Sequence, residues 1–401
     1  MKKVLILGGG FAGVESAIFL KNNNYDITLV SDRDFFYIYP TSIWIPTRES
    51  EFSDVCIDLK ELSEAHGFNL IIDAVSEISA KEGRVTLESG KIFDEYDHLI
   101  IAMGASKMKP KGVEHTTSIC GDPKQSLVIR EQLDAIIKKG SGNICFGFGG
   151  NPKDSSAVRG GPGFELLFNV HNRLKKKGIR ENYNLTFFAP MAEPGKRMGP
   201  KALSMMDKFF GMLKIDQHFG KKITQFEKDG IVFEDGSKLD SDFTMFIPAG
   251  DGHDVIKNSD LPQNEAGFIK IDDHCAVSFS DVDTFCESAK RVHKIYAIGD
   301  VAALEGYEWR AKQGHIAEVM ARNVAHNIIE EDNGGNSFKG YHEHLNILCV
   351  MDTGDGASFV YRDDKKAFMI PMPIVGHWLK KGWGVYCRYS KLGKIPRIPG
   401  M

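Results

Sequence analysis

Val4-Leu5-Ile6-Leu7, then Gly8-Gly9-Gly10-Phe11-Ala12-Gly13, then Ile27-Thr28-Leu29-Val30 with Asp32 just beyond it, decide the fold. The first run is apolar and uncharged, as a buried parallel strand requires. Residues 14–20 read as a helix, and the third run reads as a second strand. The whole is a βαβ unit carrying G-x-G-x-x-G, with an acid about 20 residues on. Gly8 permits the tight turn, Gly10 lets a pyrophosphate approach the backbone, and Gly13 lets helix and strand pack closely. The helix N-terminus faces the phosphates, and Asp32 accepts from a ribose hydroxyl. The other reading is a Gly-rich turn with no ligand.

Working outward, three later stretches repeat the strand-then-glycine pattern. Leu99-Ile100-Ile101-Ala102-Met103-Gly104 is a buried strand stopping at a glycine. Ile295-Tyr296-Ala297-Ile298-Gly299-Asp300 is a last parallel strand whose end carries an acid, at the sheet edge where ligands gather in open α/β folds. Asn143-Ile144-Cys145-Phe146-Gly147-Phe148-Gly149-Gly150 resembles the N-terminal motif, but Asn151-Pro152-Lys153-Asp154 follows where a helix should open, pushing that helix out to residue 164. The next strand, 185–188, ends in Ala189-Pro190 and no acid. A second nucleotide site is therefore lost or reused. The expected architecture is α/β, with two Rossmann-like dinucleotide-binding domains. Residues 1–105 and 275–335 form the first, and 106–274 a degenerate second. Residues 336–401 form a C-terminal region. Residues 124–139 and 312–329 read as helices, and 84–93 as a hairpin. The aromatic loop 34–46 either walls a planar cofactor or packs on itself.

A chain of 401 residues with formal net charge −4 has ample core and argues against nucleic acid as a partner. Seven Cys, with no C-x-x-C, indicate neither a disulfide framework nor a metal site. Met1-Lys2-Lys3 runs into the first strand, which is expected to leave no room for a signal peptide. No apolar run reaches spanning length. A cytoplasmic-side protein with at most peripheral membrane contact follows.

From Lys365 the tail holds Lys366, Lys380, Lys381, Arg388, Lys391, Lys394 and Arg397. It has no Asp or Glu, and Trp378, Leu379, Trp383, Val385 and Tyr386 are interleaved. Rings at headgroup level and cations on anionic lipid suit an interfacial anchor. The same pattern also suits a docking face of a homo-oligomer.

With these residues in view, the chain resembles the two-dinucleotide-binding-domain flavoproteins. It is most similar to sulfide:quinone oxidoreductases and the flavin subunit of flavocytochrome c sulfide dehydrogenase. The resemblance runs nearly end to end. It rests on Gly8 to Gly13, Ala102-Met103-Gly104 (the family usually has Ala-Thr-Gly) and Ile298-Gly299-Asp300. Gly161-Pro162-Gly163-Phe164-Glu165, the segment 348–356 around Cys349, Cys120 and the basic aromatic tail add to it. It implies FAD on Gly8, Gly10, Phe11, Ala12, Gly13 and Asp32. Val75 and Ala102 would lie near the adenine, Gly104 and Gly299 at strand ends, and Asp300 on the ribityl chain. Lys312 would lie near the flavin N1 side, where its charge stabilises the reduced form. Thr41-Ser42 lacks the Cys that anchors flavin covalently in one branch, which implies non-covalent FAD.

The implied reaction takes two electrons from sulfide, or a related sulfur compound, to a membrane quinone. Cys349 would hold sulfur, with Cys120 as an additional thiol. Glu165 would move protons to quinone once burial raises its pKa. One departure stands out: the family's partner cysteine falls at Arg159. A cation lowers a thiol's pKa, so Arg159 could activate Cys349 if they are close. Alternatives are an NAD(P)H:quinone reductase, or an electron-transfer subunit with no sulfide turnover, in which Cys349 is a structural thiol.

Overall fold

The computed structural model describes residues 1–279 and 294–397; Cys286, part of the 275–335 segment and the last four residues lie outside them. Strands β1 (Lys3–Leu7) and β2 (Asp26–Ser31) flank helix α1 (Phe11–Lys21). With β3 (Asn69–Ile72), β4 (His98–Ile101) and β9 (Lys294–Ala297) they form a five-stranded parallel sheet, in the order β9-β4-β1-β2-β3. Leu5, Ile6 and Leu7 on β1 and Leu99, Ile100 and Ile101 on β4 are almost fully buried, as continuous apolar strands between helices must be.

A second parallel sheet comprises β5 (Gly142–Phe148), β6 (Tyr183–Ala189), β7 (Ile215–Phe219) and β8 (Phe243–Ile247), in the order β7-β6-β5-β8. Helices α2 (Gln125–Lys139), α3 (Gly161–Lys176) and α4 (Pro200–Met212) belong to this half. Its core is aromatic: Phe164 stacks on Phe187 at 4.3 Å between centroids, and Phe210 stacks on Phe187 at 5.8 Å. Helix α3 begins at Gly161, three residues before the expected start, because Pro162 suits a helix's first turn.

Helix α5 (Gly314–Asp332) packs against α1 beside the first sheet. It begins after Lys312, not at it, so Lys312 lies in the buried approach to the helix. The C-terminal region is an antiparallel three-stranded sheet of β10 (Ile347–Asp352), β11 (Gly356–Arg362) and β12 (Ala367–Pro373), followed by helix α6 (Val375–Lys391). Helix α6 packs across this sheet, and α3 packs on β10. The C-terminal region thereby reaches α3 of the second half.

The aromatic stretch is no open loop. Phe35–Tyr37 is a short strand paired with Cys56–Asp58, and Tyr39–Trp44 is a 3-10 helix with Ile43 and Trp44 buried. No helix among the described residues is long and apolar enough to cross a membrane.

Candidate active site

The Gly-rich turn fits a dinucleotide. Gly8 has φ +116°, and a Cβ there would sit 2.3 Å from the Ala102 carbonyl oxygen, so only glycine lets β1 turn beside β4. A Cβ on Gly13 would sit 1.8 Å from the Gly8 oxygen, which closes helix onto strand. Gly10, in contrast, faces open space with nothing within 4 Å of its Cβ position. Space at the middle glycine, at the N-terminus of an 11-residue helix, is what a pyrophosphate needs. Asp32 is exposed just past β2. Phe11 tilts against Phe36 at 4.8 Å between centroids, and Ala12 lies beneath the turn that carries Gly299. Gly104 opens on free space past β4, and Val75 begins a separate hairpin strand, Val75–Ser79.

Asp300 lies in the turn Gly299–Val301 past β9. Lys312 shapes this turn: its ammonium donates to the Asp300 carbonyl at 2.9 Å and to the Ala302 carbonyl, and lies 3.9 Å from the Phe268 ring centroid. Burial pushes its pKa down to about 8. Its ammonium is thus buried and held by two backbone carbonyls beside Asp300.

Arg159 is not among the charges that act on the Cys349 thiol. It is ion-paired with Asp300, and the charges acting on it include Asp300, Cys120 and Tyr39. Cys120 is buried, and burial raises its pKa against the opposing charges of Lys107 and Arg159. The six described cysteines are all free thiols, so Cys120 and Cys349 are not bonded to one another.

Cys349, on β10, faces Glu165 from α3 at 3.8 Å between Sγ and Oε1. Its thiol is pushed up to about 12 by burial and then by the Glu165 charge, the reverse of the activation expected from a nearby arginine. Glu165 is itself buried, and burial pushes its carboxyl up to about 7 while Lys380 pulls it down. Lys380 comes from α6 and is ion-paired with Glu165. A carboxyl that titrates near 7 beside a protonated thiol is a general base within reach of its proton.

Several of the tail's cations pair with acids elsewhere in the chain, and two of them, Lys380 and Lys391, are buried. Lys391 donates to Glu15 at 2.6 Å and also pairs with Glu318, and Arg397 pairs with Glu15. Lys381 pairs with Glu49, Lys394 with Glu61, and Arg388 donates to the Cys56 carbonyl at 2.9 Å. What α6 and β12 leave outside is apolar: Ile370, Ile374, Val375, Trp378, Leu379 and Val385 are all at least half exposed. The tail thus carries an exposed apolar ridge, with Lys380 and Lys391 buried in ion pairs and Lys365, Lys366 and Lys394 exposed. Lys380 as the partner of Glu165 escaped sequence reading because it looked like one of eight surface cations.

The second glycine turn is plugged. Asn151 is buried and donates to the Gly250 carbonyl at 2.9 Å. Asp154 caps a 3-10 turn, and Arg197 donates to the Ser155 and Val158 carbonyls. Twelve residues, 149–160, thus separate β5 from α3, whereas only Gly8 to Gly10 separate β1 from α1.

The family described as "Pyridine nucleotide-disulphide oxidoreductase" matches residues 2–326. The sulfide-quinone reductase of Aquifex aeolicus is 28% identical over 389 residues, covering 90% of this chain and 84% of its own length. A type II NADH:quinone oxidoreductase of Staphylococcus epidermidis is 22% identical over 419 residues, covering 97% and 98%. The solved sulfide:quinone oxidoreductase of Aquifex aeolicus superposes with TM-score 0.84 at 24% identity, over 98% of this chain and 92% of that one.

Proposed function

We propose, from the premise that this chain belongs to the pyridine nucleotide-disulphide oxidoreductase family, that it oxidises sulfide or a related sulfur compound and reduces a membrane quinone. The cofactor is FAD. The residues that would hold it are Gly8, Gly10, Gly13, Asp32 and Asp300. When bound, FAD supplies the two-electron relay between sulfur donor and quinone.

The observation that carries this reading is the meeting of three parts at one point. A thiol, Cys349, faces a base, Glu165, and that base is held by Lys380 on the helix bearing the apolar ridge. Glu165 takes the Cys349 proton, and the thiolate bonds to donor sulfur. The balance is Cys349–SH + HS⁻ → Cys349–S–S⁻ + 2 H⁺ + 2 e⁻, and both electrons and protons go to the quinone. With Arg159 in place of a second cysteine, an external thiol or sulfide takes the terminal sulfur from Cys349. The ridge lays the protein on the membrane surface, where a quinone is found.

The plugged second turn speaks against a nicotinamide donor. Mixing the FAD-loaded protein anaerobically with sulfide or with NADH decides between donors. Sulfide should bleach the flavin band and NADH should not. Fast bleaching by NADH alone would replace this reading with NADH:quinone reduction.

A further inference from the structure

Glu165 and Lys380 are buried, yet a pair that supplies protons to a quinone must be refilled from the medium. Three elements draw a route. Asn169, one turn beyond Glu165 on α3, donates through Nδ2 to the Glu165 backbone carbonyl at 2.8 Å and to Asp352 Oδ1 at 2.9 Å. Asp352 ends β10, is fully buried, and also accepts from Trp44 Nε1 at 3.3 Å and the Gly354 N–H at 2.9 Å. His377 on α6 sets Nδ1 2.7 Å from Asp352 Oδ2 and Nε2 3.6 Å from Glu49 Oε2. The imidazole is braced edge-on by Trp44 and Trp378.

Beyond His377 lies a cavity of 410 Å³, whose lining includes Glu49, Lys176, Asp355, Trp378 and Lys381. Along the inner leg, Asn169 Oδ1 is buried and has no protein partner. Turning the amide over would set that oxygen against the Asp352 carboxylate, so a flip does not repair it. A buried amide oxygen without a protein partner is a place for a bound water. Burial opposes ionisation of Asp352, but His377 and Asn169 hold it below the usual carboxylate range, so it orients the imidazole as an anion.

We propose that His377, oriented by Asp352, relays protons from this cavity to the Glu165–Lys380 pair. The proposal rests on the sulfide-to-quinone reading. Over a turnover the balance is 2 HS⁻ + quinone + H⁺ → HS–S⁻ + quinol. Cys349–SH and the first hydrosulfide supply both protons of the quinol. The second hydrosulfide takes the sulfur and leaves Cys349 as a thiolate, and the proton that restores its thiol is the one relayed. Nε2 takes it from the cavity while the Nδ1–H passes to Asp352, which Asn169 ties to the Glu165 turn of α3. A water bound at Asn169 Oδ1 would complete the path to the Glu165 carboxyl. No electron moves in this step. The charged groups facing the imidazole are Asp352 from β10, Glu49 ahead of the 3-10 turn Phe52–Val55, Lys176 at the end of α3, Asp355 after β10, and Lys381 on α6 itself.

The test uses the FAD-loaded full chain, reduced under anaerobic conditions and mixed with a short-chain soluble quinone in weak buffer containing a pH-indicator dye. Flavin reoxidation and proton uptake are read together. His377→Ala should slow both about 10²-fold, the scale of a lost acid–base group. Added imidazole should restore them. Unchanged rates, or a loss that imidazole leaves in place, overturn the relay. If His377→Ala does not accumulate with FAD, Glu49→Gln at the cavity mouth takes its place. It should slow proton uptake, and an unchanged rate overturns the relay. Wild-type protein that sulfide fails to bleach would refute the functional reading instead, and the relay is then read on dithionite-reduced protein.

Discussion

Cys349 Sγ lies 3.8 Å from Glu165 Oε1, and that carboxylate is ion-paired with Lys380, 215 residues away in sequence. The thiol is protonated at rest and the carboxyl titrates near neutrality. The pair therefore works by proton transfer on demand, without a standing thiolate. Lys380 sets the pH at which the base is ready, because its charge favours the ionised form of Glu165.

Lys380→Met removes that charge, so Glu165 ionises at higher pH. The midpoint of sulfide-dependent flavin bleaching, near pH 7 in the wild type, should move to the alkaline side in the variant. Ionisation of the donor is common to both proteins and cancels in the comparison. An unmoved or acid-shifted midpoint, with FAD still bound, would remove Glu165 from the proton path.

The tail is clamped through Glu15, which is fully buried on α1. Burial opposes its charge, but Lys391 and Arg397 hold its carboxyl down to about 2, below its ordinary 4.5. A group depressed in the folded state stabilises the fold above its unfolded pKa and loses that contribution as pH falls. Arg397 and Arg322 still pair with Glu15 when Lys391 is lost, so Lys391→Met should show a loss of about 1.5–3 kcal/mol at pH 7, the scale of one hydrogen bond to a charged group. The gap to wild type should shrink as pH falls from 4.5 toward 2. Urea unfolding across that range measures it, and a gap independent of pH would contradict the clamp.

How much of this was legible in the sequence depended on whether the chemistry is local. Gly8, Gly10, Gly13 and Asp32 lie within one βαβ unit, so spacing alone points to a dinucleotide turn. Asp300 was legible because it ends an apolar strand. The interrupted second motif was legible too, since Pro152 cannot continue into a helix. Lys380 and Lys391 were not legible. A basic tail of this composition reads as a solvated or lipid-facing surface, and only the fold shows that its lysines reach Glu165 and Glu15. His377 and Asp352 carried no motif, because their pairing is made where α6 crosses β10. Arg159 was placed by counting along the family pattern, but its partner, Asp300, lies across the sheet edge from another strand.

Because Lys380 and Lys391 are buried in ion pairs and the ridge of α6 is apolar, membrane attachment should rest mainly on apolar burial. Trp378→Ser and Leu379→Ser should each weaken binding to lipid vesicles, by about 1.5–3 kcal/mol for a fully inserted side chain. Raising salt from 0.1 to 0.5 M should change wild-type binding little. Release by salt alone would restore the electrostatic anchor in place of the apolar ridge.

Sulfur chemistry at Cys349 is the central claim, and anaerobic stopped-flow mixing with sulfide tests it most directly. Wild type and Cys349→Ser are compared at equal FAD content, reading loss of the oxidised flavin band. The account predicts rapid bleaching of the wild type and loss of that reaction in the variant with FAD still bound. A Cys349→Ser protein that bleaches at the wild-type rate would contradict it.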